Sequence, residues 1–128
     1  MTKTIMLIHG AWLNAKSWEG FKARYEARGY TVVTPNWPYD DREPAELRAN
    51  PHPMLKTVGV KGIIAHLEAE IRKLPEQPIL MGHSAGAHLV SLLAADPTIA
   101  AREGAKPWRG DVALDSAAMD VPAIMSQR

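Results

Sequence analysis

Apolar positions along the chain alternate between short unbroken runs and stretches with helical spacing. Ile5-Met6-Leu7-Ile8 is apolar throughout and stops at His9-Gly10, the pattern of a strand buried on both faces. Residues 17–28 put Trp18, Phe21 and Tyr25 on one stripe, with Gly29 as a stop, and predict a helix. Tyr30 to Val33 predicts a second strand, closed by Pro35. Residues 35–53 hold five prolines among many charges and predict a long loop; loops of that length in small domains tend to serve a function. The clearest helix is predicted over 60–74, where Val60, Ile63, Ile64, Leu67, Ile71 and Leu74 follow the 3.6-residue period and Pro75 ends it. Pro78 to Met81 predicts a third strand and 84–95 a helix. Residues 98–103 predict a helical turn, and 111–114 a fourth strand ending at Asp115.

Strand, helix, strand, helix, strand, helix, strand is the order of an α/β fold. Right-handed crossovers turn it into a parallel sheet of about four strands with helices on both faces, in one domain spanning 1–128. Ligands of such sheets bind beyond the carboxyl ends of the strands. His9-Gly10, the proline-rich loop, Ser84 and Asp115 all follow strand ends, so one face is expected to gather them.

The chemistry concentrates in Gly82-His83-Ser84-Ala85-Gly86, a G-x-S-x-G run between the third strand and the next helix. In that context the pattern marks a nucleophile elbow, where small residues on either side of the serine allow a sharp strand-to-helix turn. The alternative is a serine that merely caps the helix. An elbow serine is served by an acid and a histidine further along the chain, yet the sole histidine after Ser84 is His88.

Composition narrows the rest. Fifteen basic residues face 14 acidic ones over 128 residues, so charge makes no case for nucleic acid. There is no cysteine, which excludes disulfides and thiolate chemistry. The first apolar run is too short for a signal-peptide core or a membrane span, so a cytoplasmic protein is expected. No cofactor is implied, and Asp40, Asp41 and Glu43 lack the spacing of a metal site and are expected on a solvated loop.

Two separated motifs carry a family resemblance: His9-Gly10-Ala11-Trp12 after the first strand, and the elbow at 82–86. With Val112 to Val121, they make residues 5–121 resemble the α/β-hydrolase superfamily, in particular its carboxylesterases and lipases. The resemblance covers the first half of that fold, through the elbow and the strand after it. It implies a truncated three-layer sandwich, incomplete beside the family, with Ser84 as nucleophile. The oxyanion would be held by the amides of Ala85 and of Ala11 or Trp12. Trp12 and Trp37 flank the site loops as candidate walls of a substrate pocket.

A base is harder to place. His9 is expected to brace the oxyanion loop, and His83 to point away from the serine oxygen. His88 is expected packed and hydrogen-bonded, and His66 on the surface. His52, between Pro51 and Pro53 on the site face, is the candidate base, and Asp115 the candidate acid; each also has a purely structural reading. The implied activity is hydrolysis of small carboxylic esters through an acyl-enzyme on Ser84. Two alternatives stand beside it: an impaired scaffold that binds a ligand or protein, and a fragment of a larger esterase. A final strand of Val112, Ala113 and Leu114 would leave an apolar edge, so a homodimer through that strand or the 116–128 tail is expected.

Overall fold

A computed structural model of the chain describes residues 2–102 and 108–114. Its sheet has four strands: β1 (Thr4–Ile8), β2 (Thr31–Val33), β3 (Ile79–His83) and β4 (Gly110–Leu114). They are all parallel and run in the order β2-β1-β3-β4. Between them lie α1 (Glu19–Glu26), α2 (Pro44–Ala49), α3 (Val60–Arg72), α4 (Ala85–Ala95) and α5 (Pro97–Arg102). The expected α/β sandwich is therefore present.

Each central strand packs on both faces. Ile5 and Leu7 point to one side, where they meet Val32, Met81 and Trp18, with Tyr25 of α1 over them. Met6, Ile8 and Leu80 point to the other, against Ile63 and Leu67 of α3 and Leu89 and Val90 of α4. Met6, Leu7, Leu80 and Val90 are fully buried. At about 1.5–3 kcal/mol for each such side chain, these two clusters are the main favourable term in the fold.

Several elements differ from the sequence expectation, each for a local reason. The first helix is split: a 3-10 turn (Ala15–Trp18) precedes α1. Tighter winding there shifts the phase of the stripe, so Trp18 is buried while Phe21 is 45% exposed. The proline-rich stretch is not all loop, because it contains α2 and a second 3-10 turn (Pro53–Thr57). Pro44 and Pro53 open these elements, where a missing N–H costs no hydrogen bond. The third strand starts and ends later than expected, since Gly82 and His83 pair with Ala113 and Leu114.

The topology fixes where a site can lie. From β1 the chain steps outward to β2, then crosses back over β1 to β3 and continues to β4. The strand order therefore reverses at the β1/β3 junction. The carboxyl ends of these two strands, Ile8-His9-Gly10 and Gly82-His83-Ser84, flank the crevice in which doubly wound sheets bind ligands.

Candidate active site

Ser84 occupies the turn between β3 and α4 with φ +55°. Left-handed backbone is unfavourable for any residue with a Cβ and costs on the order of 1–3 kcal/mol. Two contacts hold it there: the Ser84 amide donates to the Leu114 carbonyl of β4 at 3.0 Å, and its carbonyl accepts from the His88 amide at 3.0 Å. Its hydroxyl has no hydrogen-bond partner among the described residues.

The flanking glycines follow from close crossing. A Cβ on Gly82 would lie 2.2 Å from the Gly86 carbonyl oxygen, and one on Gly86 would lie 2.4 Å from that of Ile8. The start of α4 thus runs directly over the backbone of β1 and β3. Gly10 completes the junction, because a Cβ there would sit 2.9 Å from Ser84 Cβ and 3.4 Å from Ser84 Oγ.

Beyond Gly10 the chain makes a turn in which the Leu13 amide donates to the Gly10 carbonyl at 3.4 Å. Trp12 holds its third position with φ +67°, where glycine is the usual occupant. The turn's own bond leaves the amides of Ala11 and Trp12 uncommitted, and Ala85 opens α4, so its amide has no partner within the helix. The Trp12 side chain projects fully into solvent (102% exposed).

The segment after β2 repeats this turn. The Asp40 amide donates to the Trp37 carbonyl at 3.2 Å, and Tyr39 takes the left-handed position with φ +66°. The two loops are tied together: Asn14 donates to the Arg42 carbonyl at 3.1 Å, and Asn36 accepts from the Ala15 amide at 2.8 Å. Asn14 is buried, and its side chain also caps the 3-10 turn.

His9 lies wholly inside this junction. Its Nδ1 donates to the Gly10 carbonyl at 2.9 Å, and its Nε2 accepts from the Trp37 amide at 3.2 Å. Trp37 also stacks on the imidazole, with centroids 5.0 Å apart. Burial outweighs the Gly10 bond and pushes the His9 pKa down, so the ring is neutral near pH 7. Asp40 Oδ2 stands 3.8 Å from Nε2. Loss of water and the neighbouring Asp41 charge push the Asp40 carboxyl up to about 6. Asp40 is therefore half-buried beside His9, less solvated than the loop residue expected; Glu43 is exposed and pairs with Lys16.

The other candidates are dispersed. His52 caps the second 3-10 turn, its Nδ1 accepting from the Met54 amide at 3.1 Å, and its ring stacks on Tyr39 at 4.7 Å. It forms no hydrogen bond with Ser84. His83 packs edge-on to Trp18. His88 is packed, but its buried Nδ1 has no hydrogen-bond partner among the described residues, unlike the bonded histidine expected. Half-buried His66 joins Trp37, Tyr39, Asp41 and Glu70 around an open depression of about 290 Å³. Asp115 and the 116–128 tail lie outside the described residues.

A doubly wound parallel sheet with a strained serine at its switch point defines a class of architecture. The alpha/beta hydrolase family model matches residues 5–127, and the chain belongs to that family. Among solved structures, a pyrethroid hydrolase from Sphingobium faniae JZ-2 is 27% identical with a TM-score of 0.57, covering 77% of this chain and 36% of its own. An extracellular alpha/beta-hydrolase from a Paenibacillus species is 25% identical with a TM-score of 0.55, covering 73% of this chain and 36% of its own. That protein is described as sharing structural and functional homology with tobacco salicylic acid binding protein 2. Polyneuridine aldehyde esterase, at 23% identity and a TM-score of 0.55, shares the fold. The chain thus spans little more than a third of the length of these relatives. No curated protein matches it. Among the described residues no helix is long and apolar enough to cross a membrane.

Proposed function

We propose that this chain carries the nucleophile and oxyanion side of a serine hydrolase that cleaves small carboxylic esters. Ser84 Oγ attacks the ester carbonyl carbon and its proton passes to a base. The carbonyl oxygen becomes an oxyanion, which the amides of Ala85 and of Ala11 or Trp12 stabilise. The alcohol leaves with the proton, and water releases the acid from the Ser84 acyl-enzyme. The observation that carries this reading is the strained backbone of Ser84 at a strand-to-helix turn, with Gly10 against its side chain. Strain of this kind is kept where a side chain must be held out for chemistry. In this reading His52, whose Nδ1 caps the second 3-10 turn, offers Nε2 as the base, and Asp115 is the corresponding acid. Losing an oxyanion donor typically costs ~3–4 kcal/mol of barrier stabilisation.

A second reading is favoured by one specific observation. Ser84 Oγ forms no hydrogen bond with a histidine among the described residues, so the same junction fits an impaired scaffold, or a part of a larger esterase whose base lies elsewhere. Without a base, a triad enzyme falls by on the order of 10⁶-fold. A fluorophosphonate probe decides between the readings. Labelling of the parent but not of Ser84→Ala means an activated serine; absence of labelling, beside a control hydrolase that reacts, means the scaffold.

The outer edge of β4, which pairs with no further strand among the described residues, supports a further reading, a homodimer. Val112 is 36% exposed, and an unpaired strand of this kind tends to find a partner. A monodisperse monomer in sedimentation would refute it.

A further inference from the structure

We propose that Trp37 is a positioning residue that acts on Ser84 through His9, by fixing which imidazole nitrogen carries the proton. The inference rests on Ser84 being the nucleophile, and it gives Trp37 a role other than lining a pocket. His9 is neutral and buried, so it has one N–H and one acceptor nitrogen. Two backbone groups claim them. The Gly10 carbonyl accepts only, so it requires a proton on Nδ1. The Trp37 amide donates only, so it requires a bare Nε2. Only the Nδ1–H tautomer satisfies both. The Trp37 ring, stacked 28° from parallel, keeps the imidazole plane in line with both partners.

The consequence is felt at the serine. The carbonyl held by His9 is the one that closes the Gly10–Leu13 turn. That turn presents the Ala11 amide, and Gly10 abuts Ser84 Cβ and Oγ. If Nε2 took the proton instead, it would face the Trp37 N–H, donor against donor. Nδ1 would then face the Gly10 carbonyl, acceptor against acceptor, and the turn would lose its brace. The nearest further group, Asp40, stands 3.8 Å from Nε2, beyond hydrogen-bond reach.

The test pairs two substitutions at each end of the relay. At His9, Asn retains a donor near Nδ1 and Gln retains an acceptor near Nε2. At Trp37, Phe keeps ring and amide, whereas Ala keeps the amide alone. Imidazole ¹⁵N shifts report the tautomer, and backbone amide resonances of Ala11, Trp12 and Ser84 report the turn. Fluorophosphonate labelling rates report the serine, and circular dichroism checks folding. The expected result is the Nδ1–H tautomer in the parent. Labelling should then be at least tenfold faster in His9→Asn than in His9→Gln, and the amide shifts of Ala11 and Ser84 should move most in His9→Gln. Trp37→Ala should give a mixed tautomer and at least tenfold slower labelling, both restored in Trp37→Phe. An Nε2–H tautomer in the parent overturns the proposal. So does a Trp37→Ala protein that folds with tautomer and turn resonances unchanged. A variant that does not fold is replaced by its partner at the same position, and the parent's tautomer decides alone if neither folds. Absence of labelling in the parent overturns the hydrolase reading only, because the nitrogen and amide shifts read the relay without any reaction.

Discussion

Replacing Gly86 by alanine tests the account of the β3–α4 turn most directly. An alanine Cβ there would stand 2.4 Å from the Ile8 carbonyl oxygen and 2.8 Å from that of His9. Ordinary carbon-to-oxygen contacts begin near 3.3 Å, so α4 or β1 must move by about 0.9 Å. Neither is free to do so: Ile8 is paired with Gly82, and α4 is anchored by buried Leu89 and Val90. Overpacking against backbone costs about 1–3 kcal/mol and occasionally more, and here two carbonyls are struck. Alanine's smaller unfolded-state entropy returns about 0.4–1 kcal/mol, so from the upper end of that range a net loss of about 2–2.6 kcal/mol remains. Gly62 is the internal control, an exposed glycine inside α3 where an added Cβ meets nothing within 4 Å. Alanine at 62 should gain about 0.5–1 kcal/mol from helix propensity alone. At roughly 4 °C per kcal/mol for a chain of this size, thermal unfolding by circular dichroism should show Gly86→Ala about 10 °C below the parent. Gly62→Ala should lie a few degrees above it. Equal midpoints for the two variants would refute the close crossing of α4 over β1.

Further outcomes follow from strain and charge. Ser84→Gly should be more stable than Ser84→Ala by roughly 1 kcal/mol, because only glycine relieves φ +55° and the hydroxyl has no described partner to lose; urea unfolding of the pair measures it, and the reverse order contradicts the strain. Trp12→Gly should stabilise by a similar ~1 kcal/mol, unusual for loss of a tryptophan, since the side chain is fully exposed and φ is +67°. Asp40 binds its proton more tightly folded than unfolded, with a carboxyl near 6 against an ordinary 3.8. Its ionisation therefore opposes folding: the penalty is absent below about pH 3.8 and complete above about 6. Asp40→Asn should accordingly exceed the parent in stability at pH 7.5, with the advantage vanishing towards pH 4, and urea midpoints across that range would expose a flat difference if the carboxyl is not desolvated. His9 titrates in both proteins with the opposite sign, losing stability as pH falls below 6.5, so most of its contribution cancels in the difference, which reports Asp40 and its 3.8 Å contact with His9.

What was legible in the sequence was whatever is local and periodic. The apolar run at β1, the 3.6-residue stripe of α3 and the spaced glycines around Ser84 each report their own surroundings, and together they give the sheet and its helices. The proline-rich segment hides its two short elements because proline ends one helix but starts another, and Pro44 and Pro53 are in the starting position. The junction around His9 was half visible. His9 next to Gly10 signalled a brace, but the group it braces against is a main-chain amide at position 37, and main-chain donors leave no mark on residue type. Asp40 looked like one more loop acid because its burial depends on where the β2 loop folds back, not on its neighbours in sequence. Asn14 and Asn36 escaped notice for the same reason: each bonds to a backbone group more than 20 positions away.

The contacts of Gly82 and Gly86 change what the G-x-S-x-G signature can be taken to mean. Each glycine is required by the approach of one backbone to another, whether or not any ester is ever cleaved. A lineage that lost catalysis would still be held to both glycines by the need to fold, while its serine drifted. The outer letters of the signature are thus a record of architecture. Information about chemistry resides in the middle letter, and in Gly10, the glycine outside the signature whose missing side chain leaves room beside it.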